Sequence, residues 1–276
     1  MNEFFHVMTL PFVACLILAG IHAYLGLHVI EREVIFVDLA LAQIAVLGGS
    51  LALAFGQSMD SVQAYWMSLG FTILGAAVFS LTRFKEQRIP QEAVIGISYA
   101  VSAALLIMVL SRSGEGDEHI RQAMVGNVLL IRRPEVLKIA MIYSVIGFFH
   151  YVFRDKFLLI SRDPQEAYRK KVNVRLWDFL FYASFGFVVT SSVKIAGVLL
   201  VFSFLVVPSA AAVLFFDDVK KRLWLGWTIG FFASALGMAL SYHFDFPTGA
   251  SVVCTFGAIL VILAAVKGLV IDSRGE

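Results

Sequence analysis

Apolar stretches of about twenty residues alternate with short charged clusters along this 276-residue chain. An α-helix rises 1.5 Å per residue, so roughly 20 apolar residues reach across the ~30 Å hydrocarbon of a bilayer. Such stretches run over about 7–30, 34–56, 64–82, 92–111, 138–154, 176–192, 194–216, 222–242 and 248–270. The pattern predicts an all-α fold: a polytopic membrane helical bundle of eight to nine transmembrane helices, forming a single transmembrane domain over residues 1–276. Stretches 138–154 and 176–192 are short for full crossings. The polar segment from Thr190 to Lys194 predicts a hairpin that either dips into the membrane or separates two spans, which leaves eight and nine both open.

Composition agrees with a lipid environment. Hydrophobic residues make up 59% of the chain and charged residues 15%, with a mean hydropathy of +0.84. Soluble domains carry about 25% charged residues. A net charge of +2 is too mild for a nucleic-acid partner. Both cysteines, Cys15 and Cys254, lie in apolar stretches, which excludes a disulfide framework or a CxxC zinc site. The N-terminal MNEFFHVM has no basic residue and no small-residue cleavage site after it, so the first stretch reads as a retained span.

Loop charge then orients the bundle. Arg83, Lys85 and Arg88, the seven cations from Arg154 to Arg175, and Lys220, Lys221 and Arg222 fall on one side of a nine-span chain. The excess of basic residues marks that side as cytoplasmic, with the N-terminus outside and the C-terminus inside. Arg112, Arg121, Arg132 and Arg133 run against this rule. Small residues crowd several spans: Gly226 and Gly230 form a GxxxG step, and Gly48, Gly49, Ala52 and Ala54 cluster in the second. They allow close backbone approach, within one bundle or between subunits.

Absent motifs narrow the function. The chain has no GxxxxGK[ST] phosphate loop, no HExxH, no GxSxG and no EF-hand loop. It is therefore expected to be a transport subunit rather than an enzyme, without a permanently bound cofactor. If ATP drives it, another polypeptide must hold the nucleotide.

Ionisable groups inside apolar spans are costly and mark candidate sites. Asp38 is the clearest, with Gln43 five residues on. Five residues turn a helix by roughly 140°, so the two cannot aim at one ion from one helix. Asp38 either lines a path or anchors at the interface, reaching interfacial water or pairing with Arg32. Met8, Cys15 and His22 share one stripe at seven-residue spacing. Each step rises about 10 Å, too far for two of them to hold one ion, so they form either a ladder of weak contacts or a packing stripe. His28 and His150 are each expected to hydrogen-bond a neighbouring carbonyl. His243 and Asp245 make either a cation-meeting outer mouth or a solvated turn closed by Pro247 and Gly249.

Several segments resemble the permease subunits of the bacterial zinc/manganese/iron ABC import family. Phe36 to Gly49 resembles that family's FxGDxLAHAxLxG helix, and 92–111 is similar to its EDxxIGILFA segment. MVGNVLLI (124–131) resembles its LFGNIL stretch, 194–215 its VGVLLVxALLIIPAATA span, and DFPTGAS (245–251) its D-x-P-x-G-A turn. The resemblance implies a homodimeric inner-membrane permease with a cytoplasmic ATPase dimer, an extracytoplasmic metal-binding protein and a divalent metal ion as cargo. It also implies that Asp163, Pro164, Glu166 and Ala167, in SRDPQEAYRKK (161–171), are the coupling residues to the ATPase. An Asp-Pro turn suits docking of a short helix into a groove. The family's metal-gating Asp and His, four residues apart, fall here on Leu39 and Gln43, with the carboxylate at Asp38; His22 is a candidate for the missing ligand. That departure leaves a permease for a different small cargo as an alternative, and an ion-coupled secondary transporter as another.

Overall fold

The structure is a computed structural model that describes residues 2–59, 61–83, 89–111 and 116–272. The described residues form eleven α-helices and one 3-10 turn. They are α1 (Asn2–Glu31), α2 (Val37–Ala54), α3 (Val62–Leu81), α4 (Gln91–Leu110), α5 (Gly116–Val125), α6 (Arg133–Val152), α7 (Arg154–Arg162), α8 (Pro164–Arg169), α9 (Val174–Phe215), α10 (Val219–Phe244) and α11 (Thr248–Asp272). Seven of them are long and apolar enough to cross a membrane, and α2 contributes a shorter apolar stretch, Val37–Leu53. Dividing α9 at its break and adding α2 gives nine apolar segments among the described residues, within the eight to nine that the hydrophobic runs predict.

The one clear departure lies in α9. The hairpin expected from Thr190 to Lys194 is helix, and the break comes later, at Gly197 (φ 75°, ψ 162°). That backbone region is open essentially to glycine alone. At 42 residues the element would run about 63 Å if straight, twice the hydrocarbon thickness, so it must break somewhere. Ser191 and Ser192 do not break it because their hydroxyls bond back to the carbonyls of Phe187 and Val188 within the helix.

Two compact units divide the chain: residues 1–30, 125–143 and 195–276 form the first, and 31–124 with 144–194 the second. In the first, glycines set the helix contacts. A Cβ at Gly230 would sit 2.7 Å from that of Ala19, and the Trp227 indole donates to the Gly20 carbonyl at 3.0 Å. The GxxxG step is thus intramolecular packing of α10 on α1. Gly126 (φ 65°) lies directly on the α9 break, where a Cβ would overlap the backbone of Ala196 and Gly197. The next amide, Asn127 N–H, donates to the Ile195 carbonyl at 3.2 Å, a carbonyl the broken helix would otherwise leave unpaired.

In the second unit α2 packs against α3 and α4. Gly48 meets Met67 and Phe71, Gly75 meets Ile44, and Gly186 meets Thr72. The Thr72 and Thr190 hydroxyls bond at 3.1 Å, and Ser80 donates to the Arg175 carbonyl, so α3 and the first part of α9 run antiparallel. Ile97, Val101, Met108, Met141, Phe148, Val261 and Ile262 are exposed apolar side chains on long helices, an arrangement suited to lipid rather than to water.

Candidate functional site

The segment between α7 and α9 holds the best-formed local device. Asp163 caps α8, its carboxylate accepting the Glu166 N–H at 2.8 Å, and Pro164 takes the first helical position, where no N–H is needed. Ala167 faces inward, fully buried in a cluster with Ile160 and Val174 that Leu159, Tyr168 and Trp177 border. Glu166 faces outward and pairs with Arg169 at 2.8 Å and Lys170 at 3.5 Å. The product is a six-residue helix with an apolar underside and a charged top, closed by Lys171 in a left-handed conformation (φ 57°). Of the four residues expected to act together here, two build the turn, one seats it and one presents charge.

Asp38 does not behave as an interfacial anchor. It is 1% exposed, and neither carboxylate oxygen has a hydrogen-bond partner among the described residues. Arg32, its expected partner, is committed elsewhere. Gln43 is also buried: its amide nitrogen reaches the Met124 sulfur at 3.8 Å, while its amide oxygen has no partner. The helix α2 therefore carries two unsatisfied oxygen-bearing side chains at different angles around its axis.

His22 belongs to the first unit and is fully buried, with Nδ1 2.8 Å from the Leu18 carbonyl of its own helix and its ring edge-on to Tyr143. Cys15 and Met8, on the same stripe, are buried as well. The stripe is a packing seam of α1. Near Met8 a cavity of about 380 Å³ is lined by Phe4, Phe5, Phe12 and Met238 and is almost wholly apolar. His28 lies edge-on to Tyr24, and His150 bonds the Ser184 hydroxyl at 2.8 Å while stacking on Phe157. His243 and Asp245 are exposed. Asp245 adopts a left-handed conformation as the C-cap of α10, and the Ser241 hydroxyl bonds the Phe246 carbonyl and Thr248. The pair therefore sits on an exposed turn between α10 and α11. Among the described residues no group of three or more His, Cys, Asp or Glu is placed to hold a metal ion.

Sequence reasoning missed a heavily bonded ionisable residue. Asp178, on α9, is fully buried and accepts from Arg32 at 2.6 Å and from Arg83 through both oxygens at 2.8 Å. Arg32 also donates to the Ser161 hydroxyl at 2.8 Å and lies 4.0 Å over the Phe181 ring. The signal was available: an aspartate inside the 176–192 apolar stretch is as anomalous as Asp38.

The ABC 3 transport family matches residues 4–267. A probable iron transport system membrane protein of Haemophilus influenzae is 28% identical over 182 residues, covering 66% of this chain and 66% of its own length, just under two thirds. A manganese transport system membrane protein of Listeria innocua is 27% identical over 223 residues, covering 77% of this chain and 79% of its own. Among solved structures, PsaBC from Streptococcus pneumoniae, in complex with Fab, superposes with a TM-score of 0.78 at 21% identity, over 95% of this chain and 94% of that one. An inward-facing putative metal-chelate type ABC transporter superposes at 0.72 and 17% identity, over 96% of this chain and 88% of that one. These likenesses show the same fold.

Proposed function

This chain belongs to the ABC 3 transport family, and we propose that it is the permease of an importer carrying a divalent transition-metal ion, zinc, manganese or iron, across the bacterial inner membrane. In this reading two copies of the chain enclose the path and a cytoplasmic ATPase dimer supplies the energy. An extracytoplasmic metal-binding protein delivers the cargo, and the C-terminus lies on the cytoplasmic side. The carrying observation is α8: a capped, seated helix presenting Glu166 and a basic flank in the most basic loop of a chain that has no phosphate loop of its own. Such a helix fits a groove on a partner, with Asp163 and Pro164 setting its direction and Ala167 fixing its depth.

The cargo contacts follow from α2. A carboxylate at Asp38 and an amide oxygen at Gln43, both buried and unpartnered, are oxygen donors spaced by about 7.5 Å of helix rise. Oxygen donors suit manganese better than metals that favour thiolate or imidazole. Because the two point in different directions, they act as successive weak contacts rather than one chelating site, which suits a cargo that must leave as readily as it binds. Manganese therefore leads the three candidates. The replacement of an Asp/His pair by Leu39 and Gln43 favours one second reading, a permease of the same build for another small cargo. The test is metal accumulation by mass spectrometry in cells with and without the chain, together with the Asp163→Ala/Glu166→Ala double variant. Manganese accumulation that depends on the chain and is lost in the double variant, with membrane insertion intact, supports the proposal. Accumulation of zinc, manganese and iron that ignores the chain refutes the metal cargo. Unchanged uptake in the double variant refutes docking at α8.

A further inference from the structure

Asp178 is a single buried carboxylate facing two guanidiniums, so the cluster carries an excess positive charge inside the second unit. Neutralising Asp178 needs only one arginine, and Arg83 already engages both of its oxygens. A second buried guanidinium adds desolvation cost without a carboxylate of its own. Charge balance therefore does not account for Arg32, whereas its connections do.

Arg32 follows α1 directly and leads into α2, the helix that carries Asp38 and Gln43. Its Nε holds Ser161 near the end of α7, two residues before the Asp163 cap of α8, while its Nη1 holds Asp178 on α9 and its face rests on Phe181. Contacts at Nε, at Nη1 and on one face orient the planar fork, as a lysine could not, while Nη2 has no hydrogen-bond partner among the described residues. The next residue, Glu33, is in a left-handed turn (φ 56°), and the Phe36 N–H is held by the Glu92 carboxylate at 3.0 Å. The segment between Arg32 and α2 is thus a short, tied strut with little slack. From this geometry we infer that Arg32 is a positioning residue: through Ser161 and Asp178 it transmits displacement of α7–α8 to α2, linking ATPase movement to the cargo-contacting helix. The inference rests on the reading of α8 as the ATPase dock.

The test uses the chain reconstituted with its co-purified ATPase in proteoliposomes, reading ATP hydrolysis, manganese uptake and thermal stability together. Arg32→Gln leaves a balanced Arg83–Asp178 pair, and Ser161→Ala changes no charge. Arg32→Gln is expected to keep hydrolysis and stability while uptake per ATP falls at least tenfold, Ser161→Ala to fall several-fold, and Arg32→Lys to recover part of the loss. Wild-type uptake per ATP in Ser161→Ala and Arg32→Gln overturns the inference. So does a proportional fall of hydrolysis and uptake, the mark of a merely structural role. Should Arg32→Gln fail to assemble, Ser161→Ala alone decides. A wild-type complex that hydrolyses ATP without moving metal would instead defeat the functional reading itself.

Discussion

Replacing Asp163 separates the two things its carboxylate contributes to α8, a hydrogen bond and a charge. The bond to the Glu166 N–H, at 2.8 Å, satisfies one of the amides that the first turn leaves unpaired. A helix of six residues does not hold itself in water, so the cap and the burial of Ala167 keep it folded. Loss of a capping Asp to Ala costs about 1 kcal/mol, and since 1.4 kcal/mol is tenfold, the ratio of formed to frayed α8 falls roughly fivefold. Asn caps about as well as Asp and forfeits only a few tenths of a kcal/mol of helix-dipole attraction. Asp163→Ala is therefore expected to lower ATP-driven metal uptake in proteoliposomes measurably, by up to about fivefold where α8 is largely frayed, with Asp163→Asn within a factor of two of wild type. The melting temperature should barely move in either, because the Asp163 side chain itself is exposed and Ala167 keeps its place in the cluster with Ile160 and Val174. Equal impairment of Asn and Ala would mean that charge on the partner's groove matters and the cap does not. Wild-type uptake in both would refute the role given to this turn.

Other consequences follow from single positions. Gly126→Ala places a side chain in a left-handed conformation and into the backbone of Ala196 and Gly197; the combined strain and overlap cost about 2–5 kcal/mol. The expected outcome is a marked fall in melting temperature in detergent, and an unchanged melt would show that the α9 break is not built as described. Asp38→Asn removes a buried carboxylate that has no partner, so stability should hold or rise while uptake falls at least tenfold. Lost stability with uptake intact would make Asp38 a structural residue.

The spans were legible because lipid imposes a length and a polarity on every crossing, and runs such as 92–111 and 222–242 meet both conditions without reference to neighbours. The break in α9 comes at Gly197, three residues past the end of the Thr190–Lys194 segment, because the polarity of that segment does not signal a turn. Serines inside a helix satisfy themselves on the preceding carbonyls, and what ends the helix is the glycine-only geometry at Gly197. The cap at Asp163 and its Pro164 could be read locally, since capping needs only residues within one turn. Partnerships could not. Arg32 lies six residues from Asp38 in sequence yet bonds Asp178, 146 residues away. Only packing decides that, and the same packing leaves Asp38 without a partner.

The account stands most directly on energy supply. The chain and its co-purified ATPase, reconstituted together in sealed vesicles, should accumulate radioactive manganese when ATP is provided on the ATPase side and stop when it is withdrawn. The chain alone should accumulate none under a proton or sodium gradient. Uphill uptake by the chain alone on such a gradient would contradict the account.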